Sequence, residues 1–545
     1  MARGIDYHLQ RLDALRSDRS AWEAQWEEAA ARLVPAHRGT FFTRGNTIQS
    51  GAKKTELMYD ATAALALQRF AAVMESLATP QGQSWHRLVP SEPELMKNRQ
   101  VRLYLDEVNR LLFMHRYRPK ANFVGQIQKT YLSYGAYGNG CLFVDEAATG
   151  EPGLRYRNLH LGEAYFQENH QGVVDTMYRS FRLTAAQLVE QFGDTGNVPQ
   201  SVRDALDKAN KTTETWEVLH AIYPRRDFEP GRMDAMAMPF ASEYIFVQEQ
   251  SYLEQGGYQT FPAPLARYVQ FSGETYGRGP AQLVLPAIKV LNTQKRTILK
   301  QGHRAVDPVL LAHDDGVVGA FSMRPGAFNT GAVNQQGRPL VHPLPVGNLA
   351  IGKEMMDDER QVINDAFLIT LFQILIQDKS RMTATEVLER VREKGILIAP
   401  TTGRMQAEFL GPLIERELDL LGRLGMLPPM PPILEEAGAG FNVEYDAPMS
   451  RMARAENAAG FMRALDHAIG IFQATQDPEV LDWFDFDEAM PAILDINGSP
   501  TRWTRSLEQV QELRQQRAQQ MQEQQALDAA PAAASLVKTA SDIAR

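Results

Sequence analysis

The stretch of sequence nearest to a known chemical motif is "GNLAIGKE", residues Gly347 to Glu354. Its two glycines and the lysine after the second resemble a phosphate-binding loop, in which glycine amides hold phosphates and the lysine contacts the terminal ones. Such a loop also needs a Ser or Thr hydroxyl for Mg²⁺, and here that position is Glu354, whose carboxylate would repel phosphates. The preceding "GRPLVHPLPV" is rich in proline, which a buried parallel strand does not accommodate. We therefore predict that this stretch binds no nucleotide.

Other residue patterns that carry chemistry are missing or weak. The sequence has no HExxH, no GxSxG and no Cys/His zinc spacing, and its 11 histidines are scattered. The acidic "DWFDFDE" (Asp482 to Glu488) could bind a divalent cation, but its spacing fits no calcium loop. We favour a helix start at this place, with Trp483 and Phe484 packed inward. The sequence therefore predicts no catalytic residue, no metal site and no cofactor.

The composition is that of a folded chain with more than one domain. Of its 545 residues, 44% are hydrophobic and 23% are charged, and the net charge is −9. That charge argues against a protein that coats nucleic acid, but it leaves room for DNA as a transient partner. The single Cys141 excludes an intrachain disulfide framework. The most apolar run, Ala366 to Ile376, is about half of the ~20 residues that a spanning helix requires, and the charged N-terminus is unlike a signal peptide. We therefore expect a cytosolic protein with no membrane segment.

The spacing of apolar residues predicts a helix-rich α+β fold. In the first part of the chain, helices are predicted at about 9–33, 55–77, 95–116 and 119–137. Between about 140 and 270, alternating apolar residues predict a small antiparallel sheet, interrupted by the helices "TAAQLVEQFG" and "VPQSVRDALDKA". "GAYGNG" (Gly135 to Gly140) precedes a strand, so we interpret it as a helix-to-strand turn and not as a dinucleotide fingerprint.

Two long helices are predicted to bracket a compact segment rich in Gly and Pro. The first should run from Pro280 to Gly302 with a kink at Pro286. The second should begin after Gly352, which ends the loop, and should run to about Gln377. A capping box in "TATE" then predicts another helix, and "GRMQAEFLGPLIERELDLLGRLG" predicts a longer one. "FNVEYDAP" is predicted as a strand, and the rest of the chain as helices with a Gln-rich end.

The charges on these two long helices are complementary. The first helix carries basic residues near its end, whereas the second opens with acidic residues. If the helices run antiparallel, the basic end of one lies beside the acidic end of the other. We therefore predict charge pairing of Lys295, Arg296 and Lys300 with Glu354, Asp358 and Glu359. The alternative is that each set compensates the dipole of its own helix, and both can hold together.

Taken in order, these blocks resemble the head-to-tail connecting (portal) proteins of T7-like short-tailed bacteriophages. The resemblance covers nearly the whole chain. It is carried by "LMYDATAALALQRFAAVMESLATPQGQSWHRL", "SYGAYGNGCLFVDE", "QGVVDTMYRSFRLTAAQLVEQFG", "YGRGPAQLVLPAIKVLN", "RMTATEVLERVREK" and "SPTRWTRSLEQVQELRQQRAQQ". Each block is weak alone, but their order and spacing together are specific. The resemblance implies a portal fold with wing, stem, clip and C-terminal crown or barrel helices, assembled as a ring.

The resemblance also implies segment boundaries along this chain. They are a wing at 1–275, stem helix 1 at 276–303, a clip at 304–351, stem helix 2 at 352–377, a channel loop at 378–382, the continued wing at 383–448, and a crown or barrel at 449–545. In portal proteins the loop after the second stem helix lines the narrowest part of the channel. The resemblance therefore assigns Lys379, Ser380 and Arg381 to DNA contact. The alternative is that Lys379 and Arg381 neutralise the C-terminal end of the preceding helix.

The function implied by the resemblance is that of a structural protein and not of an enzyme. A dodecameric ring at one capsid vertex would be the channel for packaging and ejection of double-stranded DNA. The implied partners are the major capsid protein, the scaffolding protein, the tail adaptor and the terminase, which would supply ATP hydrolysis. We expect assembly in the host cytoplasm and a final location in the virion. The alternatives are a scaffolding or internal virion protein, which should show more continuous coiled coil, and a packaging ATPase or nuclease, which should carry a complete motif.

Overall fold

The computed structural model describes most of the chain. The described residues are 4–42, 54–147, 152–206, Lys208, 213–229, Arg232, 234–312, 321–345, 349–369, 401–438, 440–445, 448–475, 478–496, 503–505 and 509–521. They form two compact units, each built from two separate stretches of chain. The first unit combines Met1–Ser76 with Tyr117–Leu420, and the second combines Leu77–Arg116 with Leu421–Arg545.

Helices make up much of the described chain. In chain order they are α1 (Ile5–Asp18), α2 (Ser20–Leu33), α3 (Thr62–Ala78), α4 (Arg99–Arg116), α5 (Phe123–Tyr137), α6 (Ala185–Phe192), α7 (Gln200–Leu206), α8 (Pro280–Leu283), α9 (Leu285–Val306), α10 (Leu349–Ala366), α11 (Gly411–Arg423), α12 (Pro432–Glu436), α13 (Pro448–Thr475) and α14 (Phe486–Ile496). Residues 401–405 and 509–521 are also helical. None of these described helices is long and apolar enough to cross a membrane.

The strands form four small sheets in the described residues. In chain order they are β1 (His86–Pro90), β2 (Asn139–Glu146), β3 (Leu154–Leu159), β4 (Ala164–Glu168), β5 (Val174–Thr184), β6 (Thr215–Pro224), β7 (Phe240–Phe246), β8 (Ser251–Tyr258), β9 (Leu265–Arg267), β10 (Leu310–Ala312), β11 (Val341–Pro343) and β12 (Phe441–Tyr445). The sheet orders are β4-β5-β6-β7-β8, β3-β2-β9, β10-β11 and β1-β12. Every pairing is antiparallel. The predicted α+β class is confirmed.

The five-stranded sheet of the first unit is covered on both faces, because side chains alternate along each strand. In β6, Trp216 and Val218 belong to a core formed with α6 and α7. Leu219 and Ala221 point the other way, into a core formed with α1. The predicted helices between the strands are therefore present, and α6 begins with a capping box made by Thr184 and Gln187.

The predicted first helix is in fact two helices. Arg19 (φ −89°, ψ −4°) lies between α1 and α2 and belongs to neither helix. The Arg19 guanidinium is buried, where it pairs with Glu23 (Nη2 to Oε1, 2.9 Å) and donates to the Ala164 carbonyl (2.5 Å). It also lies over the Tyr165 ring, 3.6 Å from the centroid. This buried arginine ties the helix junction to β4.

The turn from α5 to β2 fixes the start of the long helices. At Gly138 (φ +73°) a Cβ atom would lie 2.4 Å from the Gly277 carbonyl oxygen, so only glycine fits this close approach. The Asn139 side chain donates to the Gly277 carbonyl (2.9 Å) and accepts from the Gly277 amide (2.7 Å). The predicted helix-to-strand turn is confirmed, and it holds the chain directly before α8.

A buried arginine joins distant parts of the first unit. Arg267, at the end of β9, is 2% exposed and donates from Nε to Glu408 Oε2 (2.7 Å). Its Nη1 pairs with Glu168, and its Nη2 donates to the Gly172 carbonyl (3.2 Å). Glu408 lies in a π-helical turn, Gln406–Leu410, between residues 401–405 and α11. Arg267 therefore connects this turn to the sheet.

The second unit is organised around the pairing of β1 with β12, and β12 is the strand predicted from "FNVEYDAP". Arg87 and Glu444 form an ion pair across it (2.7 Å). At the start of α14, Asp485 Oδ1 accepts from the amides of Asp487 (2.9 Å) and Glu488 (3.2 Å), so this acidic stretch is a helix start. The prediction that Trp483 packs inward is wrong, since Trp483 is 89% exposed. Helical spacing does not determine which side of a short segment is buried.

Several predictions concern residues outside the described ranges. They are the "TATE" capping box at 383–386, the helix after it, and the Gln-rich end beyond 521.

Replacing Arg267 with Met should destabilise the first unit strongly. The change leaves the carboxylates of Glu168 and Glu408 without their buried cation, which should cost about 3 kcal/mol in the free energy of unfolding measured with urea. Arg232→Met is the matched control, because Arg232 pairs with Glu229 and Asp234 at an exposed site and should change stability little. Equal effects of the two substitutions would contradict this role of Arg267.

The first unit should become less stable as the pH is lowered, because His160 is buried in its neutral form. Burial first, then the positive charge of His37 and Arg19, lowers the pKa of the His160 imidazole to about 3. Since the folded pKa is below the unfolded one, neutral His160 contributes stability above about pH 6.5 that is lost as the pH falls towards 3.

The variant His160→Asn tests this effect. His160 Nδ1 accepts from the Gly162 amide (3.0 Å), and the Asn oxygen can replace that acceptor. Between pH 7 and pH 5 the wild type should lose about 2 kcal/mol more unfolding free energy than the variant, as measured by urea denaturation. Identical losses would show that His160 is not the titrating group.

Candidate functional site

The two long helices predicted from the sequence are present as α9 and α10. The first begins with Pro280, as predicted, but it is divided at Val284 into α8 and α9. Pro286 lies in the first turn of α9, where its missing amide costs nothing, and the helix predicted from Pro280 is interrupted two residues before it. Helix α9 then continues beyond Gly302 to Val306.

The start of the second helix differs from the prediction. Helix α10 begins at Leu349, so Gly352 lies inside its first turn and does not end a loop. A Cβ atom at Gly352 would lie 2.7 Å from Cδ1 of Ile298. The glycine is therefore a place of close contact between α9 and α10. The first turn of α10 contains no acidic residue, so dipole compensation, which fades within a turn, gives a weaker account of Glu354 and Asp358.

Contacts at two levels show that α9 and α10 run antiparallel. At one level Ile298 meets Gly352. At the other, Asn292 and Arg360 both bind the segment that precedes α3. From the first level to the second, the residue number falls from 298 to 292 in α9 and rises from 352 to 360 in α10, so the two helices run in opposite directions.

The anchor of this helix pair is the segment Tyr59–Thr62. The buried Asn292 side chain accepts from the amides of Tyr59 (2.8 Å) and Asp60 (3.2 Å). The Asp60 carboxylate accepts from the Thr62 hydroxyl (2.5 Å) and from Arg360 Nη2 (2.7 Å). Burial alone would raise the pKa of Asp60, but the hydrogen bonds from Thr62 and Arg360 outweigh it and lower that pKa below its ordinary value. Asp60 is thus held as a carboxylate between the two helices.

The six residues predicted to pair lie on these helices but are not joined within one chain. Arg296, Lys300, Glu354 and Asp358 are exposed, whereas Lys295 and Glu359 are half-buried. The Arg296 guanidinium lies 5.7 Å from the centre of the Tyr59 ring. In the part of the chain that the structure describes, none of the six forms an ion pair with another residue. The ion pairs of the described α9 and α10 are Lys289 with Glu28 (2.5 Å), Arg360 with Asp60 (2.7 Å) and Arg360 with Asp357 (2.7 Å). Charge pairing of the six stays a prediction.

Helix α10 does not continue without a break towards Gln377. It ends at Ala366, and Leu368 has a left-handed backbone (φ +60°), which is unusual for a branched side chain. The neighbouring Phe367 is fully buried, with its ring 6.0 Å from that of Phe70. This contact with α3 gives a physical reason for the break. The predicted DNA-contact residues Lys379, Ser380 and Arg381 lie outside the described residues.

On the other side of that segment, α11 is fixed by buried ionic contacts that sequence patterns did not reveal. The fully buried Arg416 pairs with Asp419 (2.9 Å) and lies 3.8 Å from an oxygen of Asp145 at the end of β2. The Tyr156 hydroxyl of β3 donates to Glu417 (2.6 Å). With the Arg267–Glu408 pair, these contacts hold the chain after residue 400 against the sheets.

The described contacts around α9, α10 and α11 are packing contacts, hydrogen bonds and ion pairs, and none of them forms a catalytic arrangement. Within the described ranges, no group of three His, Cys, Asp or Glu residues is placed to hold a metal ion. Cys141 is buried, and burial raises the pKa of its thiol, which keeps it protonated and unreactive.

Comparison with known proteins identifies relatives across nearly the whole chain. The family model described as "Bacteriophage head to tail connecting protein" matches residues 6–504. The portal protein of Salmonella phage epsilon15 is 30% identical over 98% of this chain and 95% of its own length. A probable portal protein of Bordetella phage BPP-1 is 31% identical over 90% of this chain and 87% of its own length.

Among solved structures, a chain from the virion of a native gene transfer agent particle is similar at a TM-score of 0.33. It has 12% identity and covers 74% of this chain and 83% of that one. The family match over residues 6–504, together with the two phage relatives, shows that this chain belongs to the bacteriophage head-to-tail connecting protein family.

Proposed function

We propose that the chain is a portal subunit, twelve copies of which form a closed ring at one vertex of a phage capsid. Double-stranded DNA passes through the central channel during packaging and ejection. The observation that carries the proposal is the similarity to two phage portal proteins over at least 87% of each chain. Because the similarity extends over most of both chains, each segment of a portal protein is expected to have a counterpart in this chain.

The exposed surface of the helix pair supports a ring. Ile351, Met355 and Val362 of α10 are 56%, 52% and 50% exposed and lie on one side of the helix. Large apolar side chains in a row are a typical sign of a surface that a partner covers. In a homo-oligomer the partner is another copy of the same chain.

The proposed segments follow the family architecture. In this proposal α9 and α10 form the stem, and the β10–β11 ribbon between them belongs to the clip. The wing comprises residues 1–275 and 383–448, and the crown or barrel comprises 449–545. A two-stranded ribbon such as β10–β11 is marginally stable alone, so packing against other subunits suits it.

The proposed DNA contact is the channel loop at 378–382, with Lys379, Ser380 and Arg381. A lysine and an arginine on a loop can reach phosphates, and a ring repeats them once in every subunit. Such contacts are independent of base sequence and are weakened by salt, which suits DNA that must slide.

The proposed partners are the major capsid protein, the scaffolding protein, the tail adaptor and the terminase. The terminase would hydrolyse ATP, since "GNLAIGKE" lacks the hydroxyl that a nucleotide site requires. Assembly would take place in the host cytoplasm, and the ring would remain in the virion.

The purified protein should form one closed oligomer of defined size. Native mass spectrometry should give a single dominant mass at twelve times that of the chain, because a heterologous interface that closes produces a ring. A monomer that persists at high protein concentration would overturn the proposed function.

Removing the two loop charges should impair DNA handling and spare the ring. Lys379→Ala with Arg381→Ala should reduce packaged or retained DNA in a phage complementation assay, with the larger defect at low salt, where the lost phosphate contacts contribute most. Lys129→Ala with Arg182→Ala removes two exposed charges elsewhere and serves as the control. Normal packaging and retention would exclude an essential role for the loop charges, and disrupted rings would favour their role at the helix end.

A further inference from the structure

Helix α10 has an outward side that the other described residues of its own chain leave exposed. We call it the acidic face; its residues recur at spacings of four and three, and all are exposed: Ile351, Met355, Asp358, Val362 and Asp365. Glu354 lies beside this face and is also exposed. Another side of α10 carries Gly352, Met356 and Ile363, of which Met356 is 4% and Ile363 0% exposed. The contact with α9 of the same chain therefore uses a different side.

Helix α9 has a comparable outward side of opposite charge. We call it the basic face; its residues recur at spacings of three and four, and all are exposed: Val290, Thr293, Thr297, Lys300 and Arg304. Arg296 lies beside this face. No carboxylate of the described residues forms an ion pair with Arg296, Lys300 or Arg304.

We propose that the acidic face of one copy packs against the basic face of α9 in the adjacent copy of the ring. The proposal rests on the proposed function, since it requires a ring. It assigns the predicted pairing of Arg296 and Lys300 with Glu354 and Asp358 to contacts between chains, since none of these four residues forms an ion pair in the described part of one chain.

The heights of the residues support this match. Rotation about a ring axis keeps each residue at its height, so for helices that run along that axis Ile298 of any copy is level with Gly352 of its neighbour. Lys300 and Glu354 then differ in height by about four residues, or about 6 Å at 1.5 Å per residue, which a lysine side chain spans. By the same count Val290 is close in height to Val362, and Thr297 to Met355.

The composition of the acidic face favours the basic face of α9 as its partner over DNA or a second copy of α10. DNA would gain no attraction from Glu354, Asp358 and Asp365, and contact with DNA would not cover the apolar residues of this face. A second α10 would bring like charges together. The basic face supplies the opposite charge, and its threonine methyl groups and lysine stem can cover the apolar residues of α10.

Two charge-reversed variants test the proposal. Glu354→Lys with Asp358→Lys makes both faces basic, and Arg296→Glu with Lys300→Glu makes both faces acidic. Each variant alone should form at least about tenfold less ring than the wild type, because every interface then joins like charges. An equimolar mixture should restore rings, since alternating copies bring opposite charges together at every interface.

The measurement is native mass spectrometry of the separate and mixed proteins, with one variant labelled with heavy isotopes. Rings of equal composition in the mixture are the expected result. Pairing within one chain predicts no rescue by mixing, so a mixture with no more ring than either variant alone overturns the proposal. Normal rings from either variant alone overturn it as well.

A control variant and a second pair of test variants distinguish loss of this interface from general misfolding. Lys129→Glu with Arg182→Glu changes exposed charges off these helices and should leave rings intact. If the doubly substituted chains do not fold, as measured by circular dichroism, the single changes Glu354→Lys and Lys300→Glu give the same mixing test. Absence of rings in the wild type would overturn the proposed function itself, whereas wild-type rings without rescue would overturn only this interface.

Discussion

The arrangement of the long helices depends on the buried carboxylate of Asp60. It accepts hydrogen bonds from Thr62 and from Arg360 of α10, while Asn292 of α9 accepts from the amides of Tyr59 and Asp60. One short segment before α3 therefore binds both helices. Because a buried charge is costly without partners, this junction allows one arrangement of α9 and α10 and disfavours others. Gly352 then lets the helices approach closely at Ile298.

The described chain is also held firmly on both sides of residues 370–400. Before them, Phe367 is buried against Phe70 of α3. After them, Glu408 binds Arg267, and the buried Arg416 holds α11 beside β2. The proposed channel loop at 378–382 would thus be carried by two fixed supports within the first unit. This arrangement suits the proposed portal, because a loop that contacts moving DNA would then be attached at both ends to well-packed parts of the subunit.

Local patterns predicted the elements, whereas contacts between distant residues could not be predicted. The helix after Thr184 was predictable because its capping box and apolar spacing lie within a few residues. Gly352 was misassigned, since a glycine after several prolines is typical of a loop end, and its true role depends on Ile298 far away in sequence. The Arg267–Glu408 and Asp60–Arg360 pairs could not be predicted, because the partners are 141 and 300 residues apart and no local sequence pattern marks them. The charged ends of α9 and α10 were visible, but sequence alone did not distinguish pairing within a chain from pairing between chains.

A cryo-electron microscopy map of the assembled ring, at side-chain resolution, tests the central claim most directly. That claim is that α9 and α10 form an anchored antiparallel pair around a central channel. We predict that every subunit retains the contact of Arg360 with Asp60 and that the helix pairs of all subunits surround the channel. A map with α9 and α10 separated, or with the pair at the outer edge of the ring, would contradict the claim.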